Sequence, residues 1–213
     1  MKGRTLVKAR GIPREFPPPR TNMPTVTVLA VLCCALLLCV PAALTEALAY
    51  KRTAILDGQW WRLWSAHVVH FSPRHALVDG AVLALLGMVL EPRLGSRRLA
   101  LALLAGSPLI GLALVVLVPD MEHYRGASGL GMLLTVAAGA LLWQHESGLR
   151  QWLALLGLAL LAKTGADLFG AGGGQGTLPP QVAVAWQAHL AGALCGALLA
   201  AMVNANKRPR VPP

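Results

Sequence analysis

Six stretches of the chain are continuously apolar, and the segments between them are shorter, polar and mostly basic. They run from Thr25 to Thr45, Ala66 to Leu90, Leu99 to Val118, Gly126 to Trp143, Trp152 to Asp167 and Val182 to Val203. An α-helix needs about 20 residues to cross the ~30 Å hydrocarbon core of a bilayer, and most of these runs approach that length. The pattern predicts an all-α membrane protein of six transmembrane helices over residues 25–204, flanked by a basic tail at 1–24 and another at 205–213.

Two runs carry groups foreign to lipid. The second holds His67, His70, Arg74, His75 and Asp79, and the fifth holds Lys163 and Asp167. Lys163 and Asp167 are four residues apart, on one helical face near an end, where they can pair and snorkel.

Composition agrees with the periodicity. Of 213 residues, 55% are apolar and 13% charged, more apolar surface than a soluble domain of this size can hide. The net charge of +10 does not read as a nucleic-acid footprint, because the basic residues form short clusters without base-stacking aromatics among them. It reads as topology: six basic residues precede Pro24, three lie between Glu91 and Arg98, one is Arg150 and three follow Asn204, placing 13 of 19 on one side. Both termini are therefore expected in the cytoplasm. The first tail, with Pro17, Pro18 and Pro19 in a row, is expected to be disordered. Ala47-Leu48-Ala49 resembles a signal-peptide cleavage site, but a 24-residue leader and a 21-residue apolar run are too long for one. Glu46 to Trp64, with Trp60, Trp61, Trp64 and Arg62, falls outside, where aromatic rings and a snorkelling guanidinium suit the headgroup layer. Cys33, Cys34, Cys39 and Cys195 lie within apolar runs, without disulfide or zinc spacing.

Nucleophilic and ionisable groups at membrane depth are costly, so they are the first candidates for function. Ser128 stands in Gly126-Ala127-Ser128-Gly129 at the outer start of the fourth run, where unpaired N–H groups and the positive helix end can stabilise an oxyanion. His189 stands near the outer end of the sixth run, with Gly192 and Gly196 on its helical face. Both runs enter from outside, so serine and histidine arrive at a matching depth, the arrangement that a serine nucleophile and its base require. No acid accompanies His189 on its own run, so a dyad is the economical reading. His67, His70 and Asp79 lack the spacing of a zinc protease, and neither a metal nor another cofactor is expected.

With these residues in order, the chain resembles the rhomboid family of intramembrane serine proteases from Gln59 to Asn204. Gly126-Ala127-Ser128-Gly129 is similar to the family's nucleophile motif, and Ala188-His189-Leu190-Ala191-Gly192 with Gly196 to its catalytic-histidine helix. Trp61-Arg62, His70-Phe71-Ser72 followed by His75, Glu91-Pro92-Arg93-Leu94-Gly95-Ser96 and Asp167-Leu168-Phe169-Gly170 match further family positions. The resemblance implies Ser128 as nucleophile, His189 as base, and His75 with the Ser128 N–H at the oxyanion. It also implies support there from Asp79, Gly126 and Gly129. Many relatives carry Asn in place of Asp79, and well-studied ones carry a Tyr in place of Met132. A protonated Asp79 would donate as Asn does, whereas an ionised one would orient His75. Tyr124-Arg125-Gly126-Ala127-Ser128-Gly129 and the His-x-x-x-Asp spacing resemble the rhombosortase subgroup. That subgroup implies, as partners, single-span membrane substrates ending in Gly-Gly, an apolar helix and a basic tail. Two other classes fit less well: a silent rhomboid-like binding protein, against which Ser128 and His189 both stand, and a transporter, for which no inverted repeat or matched broken helices speak.

Overall fold

The structure is a computed structural model that describes residues 23–169 and 185–205. Residues 1–22 of the expected tail at 1–24, residues 206–213 of that at 205–213, and the segment 170–184 with the first three residues of the sixth run lie outside the described residues.

Each predicted run contains a helix, with boundaries set by local chemistry. The first is α1 (Thr25–Leu36), extended by a 3₁₀ turn at Leu37–Cys39. Pro41 then turns the chain, and α2 (Ala42–Leu48) follows as a separate piece. At 1.5 Å per residue α1 spans about 18 Å, so the first run is two helices, not one rod.

The second run begins later than its hydropathy suggests. Residues 66–72 are irregular, and α5 starts only at Pro73, after the short α3 (Arg52–Leu56) and α4 (Arg62–Ser65). Ser72-Pro73 is a helix start written in the sequence: the Ser72 hydroxyl accepts from the His75 N–H at 3.1 Å, and proline stands at the first helical position. Helix α5 runs to Leu94, Gly95 (φ +86°) ends it, and α6 (Ser96–Leu117) departs at once.

One pair of short strands was absent from the sequence reading. Strand β1 (Tyr50–Lys51) lies antiparallel to β2 (His123–Tyr124), with Tyr50 opposite Tyr124. They join the first outer loop to the loop entering α7 (Ser128–His145). Thr53 Oγ1 reinforces the join by donating to Glu122 Oε1 at 2.5 Å, which holds the Glu122 carboxyl below its usual range. Helix α8 (Arg150–Leu168) and helix α9 (Trp186–Ala205) complete the order.

Helices α6 and α9 are long and apolar enough to cross a membrane by length and composition. Large apolar side chains point outward along the bundle, among them Leu77, Leu85, Val116, Leu161 and Leu194, a surface that suits hydrocarbon better than water. The interior is centred on α7, where Leu133, Leu134, Ala137 and Leu141 are buried. At the far end of α5 from His75, the Glu91 carboxylate caps the start of α1. It accepts from the Val26 N–H at 2.9 Å, the Thr27 N–H at 2.8 Å and Thr27 Oγ1 at 2.7 Å. Gly87 leaves the room that Thr27 occupies.

One expectation for the outer loop needs correcting. Arg62 does not snorkel; it is buried, donating through Nη1 to the carbonyls of Glu46 at 2.7 Å and Ala49 at 2.6 Å, and through Nε to Gln59 Oε1 at 2.8 Å. A guanidinium offers five donors in a fixed fork, and three carbonyl-type acceptors converging on it repay its burial. Trp60, Trp61 and Trp64 are exposed, as an interfacial belt requires.

Candidate active site

Residues 124–127 form a turn fastened at three points before α7 begins. The buried Tyr124 phenol donates to the Gly126 carbonyl at 2.8 Å, the Gly126 N–H donates to the Ala66 carbonyl at 3.0 Å, and the Ala127 N–H donates to Asp79 Oδ2 at 2.7 Å. Gly126 has φ +123°, a conformation few side chains adopt, and a Cβ there would stand 2.7 Å from His75 Cε1 and 3.0 Å from Asp79 Oδ2. Only glycine lets the chain pass so close to those two side chains.

Ser128 is the first residue of α7, and the first bond of the helical ladder is made by the Gly131 N–H to the Ala127 carbonyl. The N–H groups of Ser128, Gly129 and Leu130 therefore precede the ladder, beside the positive helix end. An anion formed near Ser128 would meet donors already in place.

His189 comes from α9, which lies against α7 through its own glycines. A Cβ at Gly192 would collide with the Gly129 carbonyl and one at Gly196 with the Leu133 carbonyl, while a Cβ at Gly129 would stand 3.2 Å from the Ala188 carbonyl. Four-residue steps on α9 match four-residue steps on α7 in the same direction, so the helices are parallel and both start at the site. His189, fourth in α9, consequently faces Ser128: Nε2 lies 3.0 Å from Ser128 Oγ. Both side chains are half-buried, open enough for a substrate and shielded enough to strengthen electrostatic interactions.

His75 and Asp79 lie beside the turn. His75 Nε2 and His70 Nε2 each stand 3.3 Å from Asp79 Oδ2, the oxygen that accepts from Ala127. Asp79 Oδ2 thus accepts from the turn, and two imidazole nitrogens stand close to the same oxygen. His75 stacks on Phe71 at 6.1 Å, and the Arg125 guanidinium covers the Phe71 ring at 5.1 Å, tying the site to the outer loop, where Arg125 also pairs with Glu46. His67 turns away to the Ser107 carbonyl at 3.0 Å. Among the described residues no group of three or more His, Cys, Asp or Glu is arranged to hold a metal ion.

The rhomboid domain model matches residues 57–206, well over half of the chain. This chain belongs to the rhomboid family. It is accordingly a membrane protein of a family of intramembrane serine proteases whose substrates are membrane proteins. No curated protein matches the chain. Within the rhomboid match lie Ser128, His189, His75, Asp79, Gly126 and Gly129, all six named from sequence, and the fold brings them together at one end of α5, α7 and α9. Sequence reasoning gave no role to Tyr124, whose phenol fastens the turn, and none to His70 beyond a family match and a metal site that its spacing does not support. An aromatic two residues before a glycine that must adopt positive φ was the available signal for Tyr124.

Proposed function

We propose that this rhomboid protein is an endopeptidase working by a Ser128–His189 dyad in a six-span membrane domain. The observation that carries the reading is the 3.0 Å approach of His189 Nε2 to Ser128 Oγ at the shared end of two parallel helices. Ser128 Oγ attacks a peptide carbonyl carbon as its proton passes to His189. The tetrahedral oxyanion faces the N–H groups at the start of α7, with His75 beside them. His189 then protonates the leaving amine, and water releases the acyl group by the reverse roles. Gly126 and Gly129 support this by letting the turn and α9 come close, and Asp79 by holding the Ala127 N–H. No cofactor enters the scheme.

The charge pattern supports cytoplasmic termini and a site at the outer face, and the rhombosortase resemblance supports a bacterial inner membrane. The substrate reading follows the rhombosortase resemblance: a single-span segment with Gly-Gly near its outer end, an apolar helix and a basic cytoplasmic tail. Each Gly lowers helix propensity by roughly 1 kcal/mol relative to Ala, which helps expose a carbonyl that helical backbone would keep paired. The test is co-expression with a reporter bearing such a tail, with processing followed by mass spectrometry. Cleavage beside Gly-Gly that disappears with Ser128→Ala is expected. Equal processing of a Leu-Leu tail would overturn the glycine preference, and processing independent of Ser128 would overturn the dyad.

A further inference from the structure

Helix α8 turns nearly all of its side chains outward, and the one residue it buries is an acid. The Asp167 side chain is 1% exposed, while Lys163, one turn earlier, is 56% exposed and donates to Asp167 Oδ2 at 2.6 Å. The other carboxylate oxygen, Oδ1, is buried without a hydrogen-bond partner among the described residues. A pair that existed only to snorkel would keep both heads at the surface; here the acid faces inward and only the lysine reaches out. Asp167 lies in the last turn of α8 and His189 in the first turn of α9, and α8 packs against α9. That places the pair at the end of the bundle where His189 stands, near enough for its two charges to act on the imidazole, as Asp79 and His75 do from α5.

We propose that Asp167 and Lys163 are positioning residues that act through His189, Asp167 favouring the imidazolium formed when His189 takes the Ser128 proton and Lys163 opposing it. The inference rests on the dyad reading above. It supplies from a neighbouring helix the acid that the His189 helix lacks, and couples to it a cation that limits how far the imidazolium is favoured.

The experiment measures the labelling rate of the full chain in detergent by a fluorophosphonate across pH. In that reaction the Ser128 Oγ–phosphorus bond forms, fluoride leaves, and the hydroxyl proton goes to His189, so only neutral His189 assists and the rate falls on the acid side. The two substitutions, Asp167→Asn and Lys163→Gln, each preserve a hydrogen-bonding partner and remove one charge. Without the Asp167 charge the imidazolium is less favoured, so the acid limb moves to lower pH; without the Lys163 charge it moves to higher pH. Shifts of about half a pH unit or more in opposite directions are expected for single charges at this range. The groups left in place, Ser128, His75 and Asp79, are common to all variants and cancel in the comparison. A pair that serves only to hold α8 would slow labelling in both variants without opposed shifts, and that result overturns the inference. Lys163→Gln alters an exposed side chain, so its upward shift, or the absence of one, decides the matter even if Asp167→Asn does not fold. Failure of the wild type to label at any pH would instead overturn the dyad reading itself.

Discussion

Helices α8 and α9 are neighbours of nearly equal length, 19 and 20 residues, and both are built from Leu, Ala and Gly. Helix α9 buries Ala188, Gly192, Gly196 and Ala200, a strict four-residue stripe, and lays it on the backbone of α7. Helix α8 buries Asp167 alone, and a Cβ added at Gly157 or Gly165 would meet nothing within 4 Å. Glycine in a membrane helix is therefore no evidence of contact by itself. It becomes evidence when its spacing matches small residues on a partner and the carbonyls of that partner fill the space. The difference has a functional side, because the tightly seated helix carries His189 and so must hold its 3.0 Å contact, whereas α8 supplies only charge at a distance.

The sharpest way to break this comparison is to fill the stripe. Gly192→Leu would drive the Gly129 carbonyl away and separate His189 from Ser128, and displacement by about 1 Å costs on the order of 100-fold in rate. A drop of that size or greater in fluorophosphonate labelling is expected, together with a lower unfolding temperature. Next comes Asp79→Leu, which leaves the buried Ala127 N–H without its acceptor at about 1–3 kcal/mol. Asp79→Asn can still accept through Oδ1, so it should keep most of the activity that the leucine variant loses, as measured by labelling rate. At the other end of α5, roughly 24 Å from His75, Glu91→Gln weakens the cap on α1 by about 1–2 kcal/mol. It should lower the unfolding temperature while leaving the labelling rate unchanged. The smallest effect belongs to Gly157→Ala on α8: with open space around it, the change should leave labelling intact and unfolding unchanged or up to about 1 kcal/mol more favourable to the folded state. A collapse of this variant would show α8 to be as tightly seated as α9.

What could be read from the sequence followed from period and depth. Apolar runs located the long helices, and the four-residue recurrence of Gly192 and Gly196 beside His189 announced the face that meets α7. What could not be read depended on partners distant in sequence. Arg62 looked like a snorkelling cation because its acceptors, the carbonyls of Glu46 and Ala49, are backbone atoms that no residue identity reveals. That Asp79 fastens the turn was equally hidden, because its partner 2.7 Å away is the backbone N–H of Ala127, distant in sequence. The start of α5 was legible in Ser72-Pro73 but was overridden by hydropathy, since Ala66, Val68 and Val69 are as apolar as a span and are buried or half-buried without being helical.

The central claim is that Ser128 and His189 form one proton-transfer unit, and peptide mapping of the fluorophosphonate adduct tests it most directly. In the wild type the label should fall on Ser128. Ser128→Ala should carry none, His189→Ala should label at least about 100-fold more slowly, and both should remain folded and inserted in the membrane, since residues acting as a unit lose activity together. Labelling of another residue, or undiminished labelling of Ser128 in the absence of His189, would contradict the account.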